Sequence, residues 1–171
     1  MSRAALLSTL SDLKIAHKTH DHPPIFTVAE GAQIKAALPG GHTKNLFLKD
    51  KSGRLFLICA LGSTAISINR LHRILECRRL SFGKPALMFE TLGVTPGSVT
   101  LFSVINDTAG KVTLILDAAL LEHDIVNFHP MRNDATTAIS SADMVRFCEA
   151  VNHSPVIIDF NALIAAGEAL S

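Results

Sequence analysis

The sequence predicts a single α+β domain spanning residues 1–171, a mixed α/β arrangement whose mixed, partly barrel-like sheet is flanked by helices. Three observations lead there. Short apolar stretches of strand length interleave with segments of helical periodicity along the chain. Glycine and proline punctuate them at Pro23-Pro24, Pro39-Gly40-Gly41, Gly53 and Gly93. With 48% hydrophobic and 18% charged residues, and no internal repeat or low-complexity linker, the chain can build one sizeable core.

The elements follow in order. Leu6, Leu7, Leu10 and Leu13, with Ile15, recur at helical spacing and predict a first helix over 3–15. Ile15 to His22 alternates loosely, as a strand does, and stops at Pro23-Pro24. Thr27 is placed to cap a second helix, with Glu30 completing a capping box, and that helix ends before Pro39. Lys44 to Asp50 and Arg54 to Ala60 are apolar strands around a turn at Lys51-Ser52-Gly53, which is a hairpin pattern. Residues 66–75 form a helix with basic residues on its polar side, 79–82 a short strand, and 84–92 a helix opening near Pro85. After a loop at 93–98, strands are expected at 99–104, 112–116, 125–128 and 136–140. Ser141 or Asp143 then starts a helix running to about Val151, and Val156 to Phe160 is a last apolar strand.

Composition narrows the function classes. No apolar run approaches the roughly 18 residues that a membrane span needs. The N-terminal residues make a poor secretion signal, because Ser8, Ser11 and Asp12 interrupt the apolar stretch. Cys59, Cys77 and Cys148 are too far apart for a CxxC metal or redox motif, and an odd, sparse set fits a reducing cytoplasm. A net charge of +1 argues against bulk nucleic-acid binding and against a DNA partner, so any contact with RNA must come from a local patch. With no Trp or Tyr, a platform stacking several bases is not expected, and an RNA would be held by phosphates and one terminal nucleotide.

No phosphate loop of the GxxxxGK[ST] type, HExxH pair, GxGxxG turn or GxSxG elbow is present. His17, His20 and His22 cluster locally, but alternation puts His17 on the opposite face from the other two, so they read as a solvated strand edge. No metal or other cofactor is implied. Three segments differ from ordinary scaffold. In Gly40-Gly-His-Thr-Lys-Asn45, two glycines release the backbone before His42, Thr43, Lys44 and Asn45 open an apolar strand; the competing reading is a solvated hairpin edge. Gly93-Val-Thr-Pro-Gly-Ser98 can aim backbone N–H groups, notably near Gly97 and Ser98, at an oxyanion, or it is a simple turn. Asn127-Phe-His-Pro-Met-Arg-Asn-Asp134 places His129 among polar side chains at a strand end, or it is a self-satisfied capped loop. Arg70, Arg73, Arg78, Arg79 and Lys84 form the densest basic stretch, a candidate phosphate contact or else a solvated face.

Taken in order, these three segments resemble the YbaK/ProX family of prolyl-tRNA editing proteins, and most of all its freestanding ProX (ProXp-ala) branch. The matching stretches are 41–50, 93–99 and 127–139, and the likeness runs from the first helix through Phe160. The resemblance implies the YbaK/prolyl-tRNA synthetase-associated fold, with a cleft for the 3′-terminal adenosine of tRNA(Pro). It maps an essential lysine onto Lys44, polar site positions onto Asn45 and His129, and a Gly/Pro loop onto Gly93 through Ser98, with Pro96 inside it. His42 and Thr43 would join Gly93 and Pro96 in binding substrate. The implied activity is hydrolysis of the ester of mischarged Ala-tRNA(Pro).

The physics gives such an activity a purpose. A pocket built for proline cannot exclude the smaller alanine, since each missing methylene discriminates by only about 1–3 kcal/mol. In the implied scheme Lys44, ordinarily a cation, clamps the terminal phosphate or the developing oxyanion. His129 orients water or binds the ribose. The basic stretch contacts the acceptor stem, and docking on prolyl-tRNA synthetase or an elongation factor stays open. Two alternatives also stay open: a deacylase for another mischarged tRNA, such as Cys-tRNA(Pro), and a non-catalytic module that binds tRNA or the synthetase.

Overall fold

The computed structural model describes residues 1–25 and 28–167. The capping role expected of Thr27 lies outside the described residues. Among the described residues, eight strands and six α-helices follow in the order α1 (Arg3–Asp12), β1 (His17–Asp21), α2 (Val28–Ala37), β2 (Gly41–Asp50), β3 (Leu55–Leu61), α3 (Ile68–Leu75), β4 (Leu80–Phe82), α4 (Pro85–Leu92), β5 (Val112–Asp117), β6 (Ile125–Phe128), β7 (Ala135–Ser140), α5 (Ser141–Ala150), β8 (Val156–Ile158) and α6 (Phe160–Ala165). The strands form one mixed sheet ordered β1-β7-β6-β2-β3-β5-β8, with β4 also on β2. Its path ends on β1 and β8, so the barrel-like character is partial.

Strand alternation splits the core between two faces. Phe47, Leu57 and Cys59 point to one side, where α1, α4 and α5 supply Leu10, Leu92 and Phe147. There Phe102 meets Phe128 and Phe147 edge-on, with centroids 5.6 and 5.3 Å apart. Leu48, Phe56 and Ile58 point to the other side, under Leu71 of α3 and Phe160 of α6. Helices thus cover both faces, as apolar strands such as β3 require. No helix among the described residues is long and apolar enough to cross a membrane.

Two segments depart from the sequence expectation. Residues 99–104 do not form a strand; Leu101–Asn106 is a 3-10 helix. Thr100 caps it by accepting from the Phe102 N–H, and Ser103 Oγ donates to the Thr100 carbonyl. These local bonds compete with a ladder in an otherwise strand-like apolar run. The last strand stops at Ile158 because Asp159 accepts from the Ala162 N–H and starts α6. Helix α4 begins with Pro85 at its first position and ends on Gly93, which adopts φ 69° as a left-handed C-cap.

The ladder along β2 creates the opening that matters. One edge of this ten-residue strand pairs with β3 from Thr43 to Lys49. The other edge pairs in parallel with β6 at Gly41 and His42, then antiparallel with β4 from Leu48 to Asp50. Between those two ladders, residues 43–46 have no strand partner on that edge among the described residues.

Candidate active site

A cleft of about 380 Å³ opens at this gap, lined by Ile25, Gly31, Ile34 and Lys35 on one side and by strand residues on the other. Strand β2 contributes His42, Thr43 and Asn45, and the β6–β7 region contributes Asn127, Phe128, His129 and Thr136. Hydrogen bonds fix this polar wall. Asn127 donates to the carbonyls of Pro39 (3.0 Å) and Gly41 (3.3 Å), tying the end of α2 and the start of β2 to β6. Thr43 Oγ1 donates to the Asn127 carbonyl at 2.7 Å. Asn45 Nδ2 donates weakly to Thr43 Oγ1 at 3.4 Å, while its buried Oδ1 has no hydrogen-bond partner among the described residues. A buried acceptor left unmatched costs about 1–3 kcal/mol.

His129 presents a second acceptor. Its Nδ1 lies 2.9 Å from the Ala135 carbonyl, which can only accept, so Nδ1 carries the proton and Nε2 keeps its lone pair. Burial pushes its pKa below the ordinary 6.5, and the nearness of the His22 ring adds to this; the Ala135 carbonyl and Asp134 act in the opposite sense but do not overcome it. The imidazole is therefore neutral at pH 7 and competent as a base.

Other sequence candidates fall elsewhere. Lys44 is not in the cleft lining; alternation turns it to the Leu46/Leu48 face, where Nζ donates to the Thr64 carbonyl. Burial lowers its pKa, Asp117 raises it, and Lys35 lowers it, which puts a second ammonium within electrostatic reach. Gly93, Pro96, Gly97 and Ser98 are also outside the lining. Gly93 ends α4, Pro96 and Gly97 are exposed, and the Ser98 N–H donates to the Thr95 carbonyl within a turn. Arg70, Arg73, Arg78, Arg79 and Lys84 are exposed, on α3, on β4's approach and before α4. Strand β4 pairs with residues 48–50, at the far end of β2 from the cleft.

Sequence reasoning missed Lys35, marked the segment around Asn127 and Thr136 without naming either as a site residue, and misjudged His22. Far from a solvated edge, His22 is 8% exposed. Strand β1 ends at Asp21, and the His22 N–H donates to the Asp134 carbonyl at 3.0 Å, which turns its ring inward. The adjacent Pro23-Pro24 was the available signal for that turn.

A small mixed-sheet domain thus carries a cleft lined by polar side chains, two imidazoles and one lysine. The chain belongs to the aminoacyl-tRNA editing domain family, whose profile matches residues 22–147. It is 38% identical over 161 residues to prolyl-tRNA synthetase associated domain-containing protein 1 of Danio rerio, covering 93% of this chain and 88% of that one. It is 30% identical over 150 residues to the prolyl-tRNA editing protein ProX of Acetoanaerobium sticklandii, covering 87% and 92%. Its fold matches a crystal structure described as a candidate trans-editing enzyme for prolyl-tRNA synthetase, with TM-score 0.71, 18% identity, and coverage of 93% and 96%.

Proposed function

We propose that the protein is a trans-editing deacylase that hydrolyses the aminoacyl ester of mischarged tRNA(Pro), with alanine as the amino acid removed. The observation that carries this reading is the pairing, on one cleft wall, of the unmatched Asn45 Oδ1 with the neutral His129 Nε2. An aminoacyl ester supplies ammonium donors for the first, and the water that attacks its carbonyl supplies a proton for the second. In this reading the alanine methyl lies against Ile25, Ile34 and Phe128, apolar side chains of the lining. Rejection of proline would then come from overpacking its larger ring against them.

In this scheme His129 takes a proton from water as its oxygen attacks the ester carbon, then returns it to the departing ribose oxygen. Lys35 and Lys44 supply positive charge at the Gly41 end of β2 for the 3′-terminal phosphate; for Lys44 this means exchanging the Thr64 carbonyl for the phosphate. With the Ser98 amide already donating, any amide contribution from the Gly/Pro loop would fall to its neighbours. In this reading the exposed Arg78, Arg79 and Lys84 would meet acceptor-stem phosphates. The test is deacylation of Ala-, Cys-, Ser- and Pro-tRNA(Pro) by purified protein. Rapid loss of alanine with proline retained is expected; a folded protein inert on all four would overturn the proposal.

A further inference from the structure

His22 has no part in that scheme, yet it is the most completely engaged histidine near the cleft. Its Nδ1 lies 2.9 Å from the Pro23 carbonyl and its Nε2 lies 2.9 Å from Thr136 Oγ1. The carbonyl can only accept, so Nδ1 holds the proton and, in the neutral ring, Nε2 must accept. The Thr136 hydroxyl then has one choice: it donates to His22 and turns its lone pairs away, toward the cleft that Thr136 lines. The residue before it, Ala135, gives its carbonyl to His129 Nδ1. Two consecutive residues of β7 thus fix two imidazoles whose centroids are 6.4 Å apart. On the other side, His20 stacks obliquely at 6.3 Å.

We infer that His22 is a positioning residue: it sets the Thr136 hydroxyl as an acceptor, so that the attacking water is held by two acceptors, Thr136 Oγ1 and His129 Nε2. A water has two protons, and this arrangement receives both, leaving an oxygen lone pair for the ester carbon. As the O–C bond forms, the proton on the His129 side moves to Nε2. When the C–O bond to ribose breaks, that proton passes to the ribose oxygen, and the other stays on the new carboxyl group until it ionises. Without His22 the Thr136 hydroxyl is free to rotate and offer its proton to the water instead, which disorders the nucleophile. This inference rests on the deacylase reading, so its test needs one measurement that does not.

That measurement is nitrogen-15 NMR of the imidazoles at about pH 8, where an ordinary imidazole is neutral. His22 is expected as the Nδ1–H tautomer, and its Nε2 resonance should shift in Thr136→Val. A protonated Nε2, or no response to Thr136→Val, overturns the inference whether or not the protein deacylates. The kinetic arm is a double-mutant cycle. Thr136→Val and His22→Phe should each lower kcat about tenfold, the worth of one neutral hydrogen bond, with little change in KM. The double variant should be no slower than Thr136→Val alone. His22→Gln, whose side-chain carbonyl can still accept from Thr136, should recover most of the rate lost in His22→Phe. Additive losses, or loss of rate in His22→Gln equal to that in His22→Phe with both folded, would refute a role through Thr136. Failure of the wild type to deacylate any charged tRNA(Pro) would instead count against the deacylase reading.

Discussion

Replacing His129 by alanine removes the cleft imidazole whose Nδ1 is held by the Ala135 carbonyl and which the proposed scheme uses as its base. A positioned general base contributes about 10²–10⁴ in rate, which is about 2.7–5.4 kcal/mol of barrier. Because burial holds this imidazole below 6.5, the wild-type rate should stay level from pH 8 down past 6.5 and fall only beneath it. The assay is single-turnover deacylation of Ala-tRNA(Pro), enzyme in excess, from pH 5 to 8. His129→Ala should be slower by that factor, and the acid limb should vanish. A rate within threefold of wild type, or an unchanged acid limb, would refute the reasoning. Stability carries the same signature. The unfolded chain binds a proton at an ordinary imidazole value and the folded chain only below it, so ν(unfolded) exceeds ν(folded) in that window and stability rises with pH. The contribution is complete above about 6.5 and is lost as pH falls through the depressed folded value. His129→Gln should show a shallower loss in thermal melts across the same range.

Lys44→Ala should cut deacylation by about 10²–10³, the cost of removing one charge-stabilising group, with an unchanged circular dichroism spectrum; near wild-type turnover would dismiss it from the chemistry. Neutralising Arg78 and Arg79 together should weaken binding of Ala- and Pro-tRNA(Pro) alike, with a shallower dependence on salt, and leave the Ala/Pro rate ratio intact; a changed ratio would place them at the amino-acid pocket. Gly83→Ala should destabilise the fold by about 1–3 kcal/mol, because the added Cβ would stand 2.3 and 2.4 Å from Phe47 ring carbons of a well-packed core; a melting temperature equal to wild type would contradict this. Chelation with EDTA should leave the rate unchanged, and loss restored by one divalent ion would show otherwise.

What the sequence disclosed follows from how local each signal is. The β2–β3 hairpin was legible because its alternation and its turn at Gly53 lie within one short window. Helix α4 was legible from Pro85 and Gly93, residues whose backbone preferences act on the spot. The 3-10 helix was not, because Leu101-Phe102-Ser103-Val104 is apolar enough for a strand and only the Thr100 and Ser103 side-chain bonds decide otherwise. The site was legible in pieces: His42, Thr43, Asn45 and His129 do line one cleft. Its remaining members came from pairings between distant segments. Lys35 is an ordinary helical lysine until α2 is laid across β2. His22 is an ordinary strand-end histidine until the Asp134 carbonyl captures its N–H. Lys44 stood beside Asn45 in sequence, but the period of two in a strand separates their side chains.

Consider when the cleft can exist during synthesis of the chain. Asn45 belongs to a hairpin that forms early, since β2 and β3 are joined by four residues, 51–54. The opposite wall depends on β6 and β7, and β7 is held by β1 through contacts such as His17 with Ile139. Closing a loop of that span costs chain entropy that no nearby contact offsets first. A ribosome that has delivered the hairpin has therefore delivered half a cleft and no base. His129 and Thr136 meet Asn45 only after residues near 140 emerge and β7 docks between β1 and β6. Completion of the cleft is thus a late event of maturation, and partial products ending before β7 would carry the lysines and arginines without its second wall.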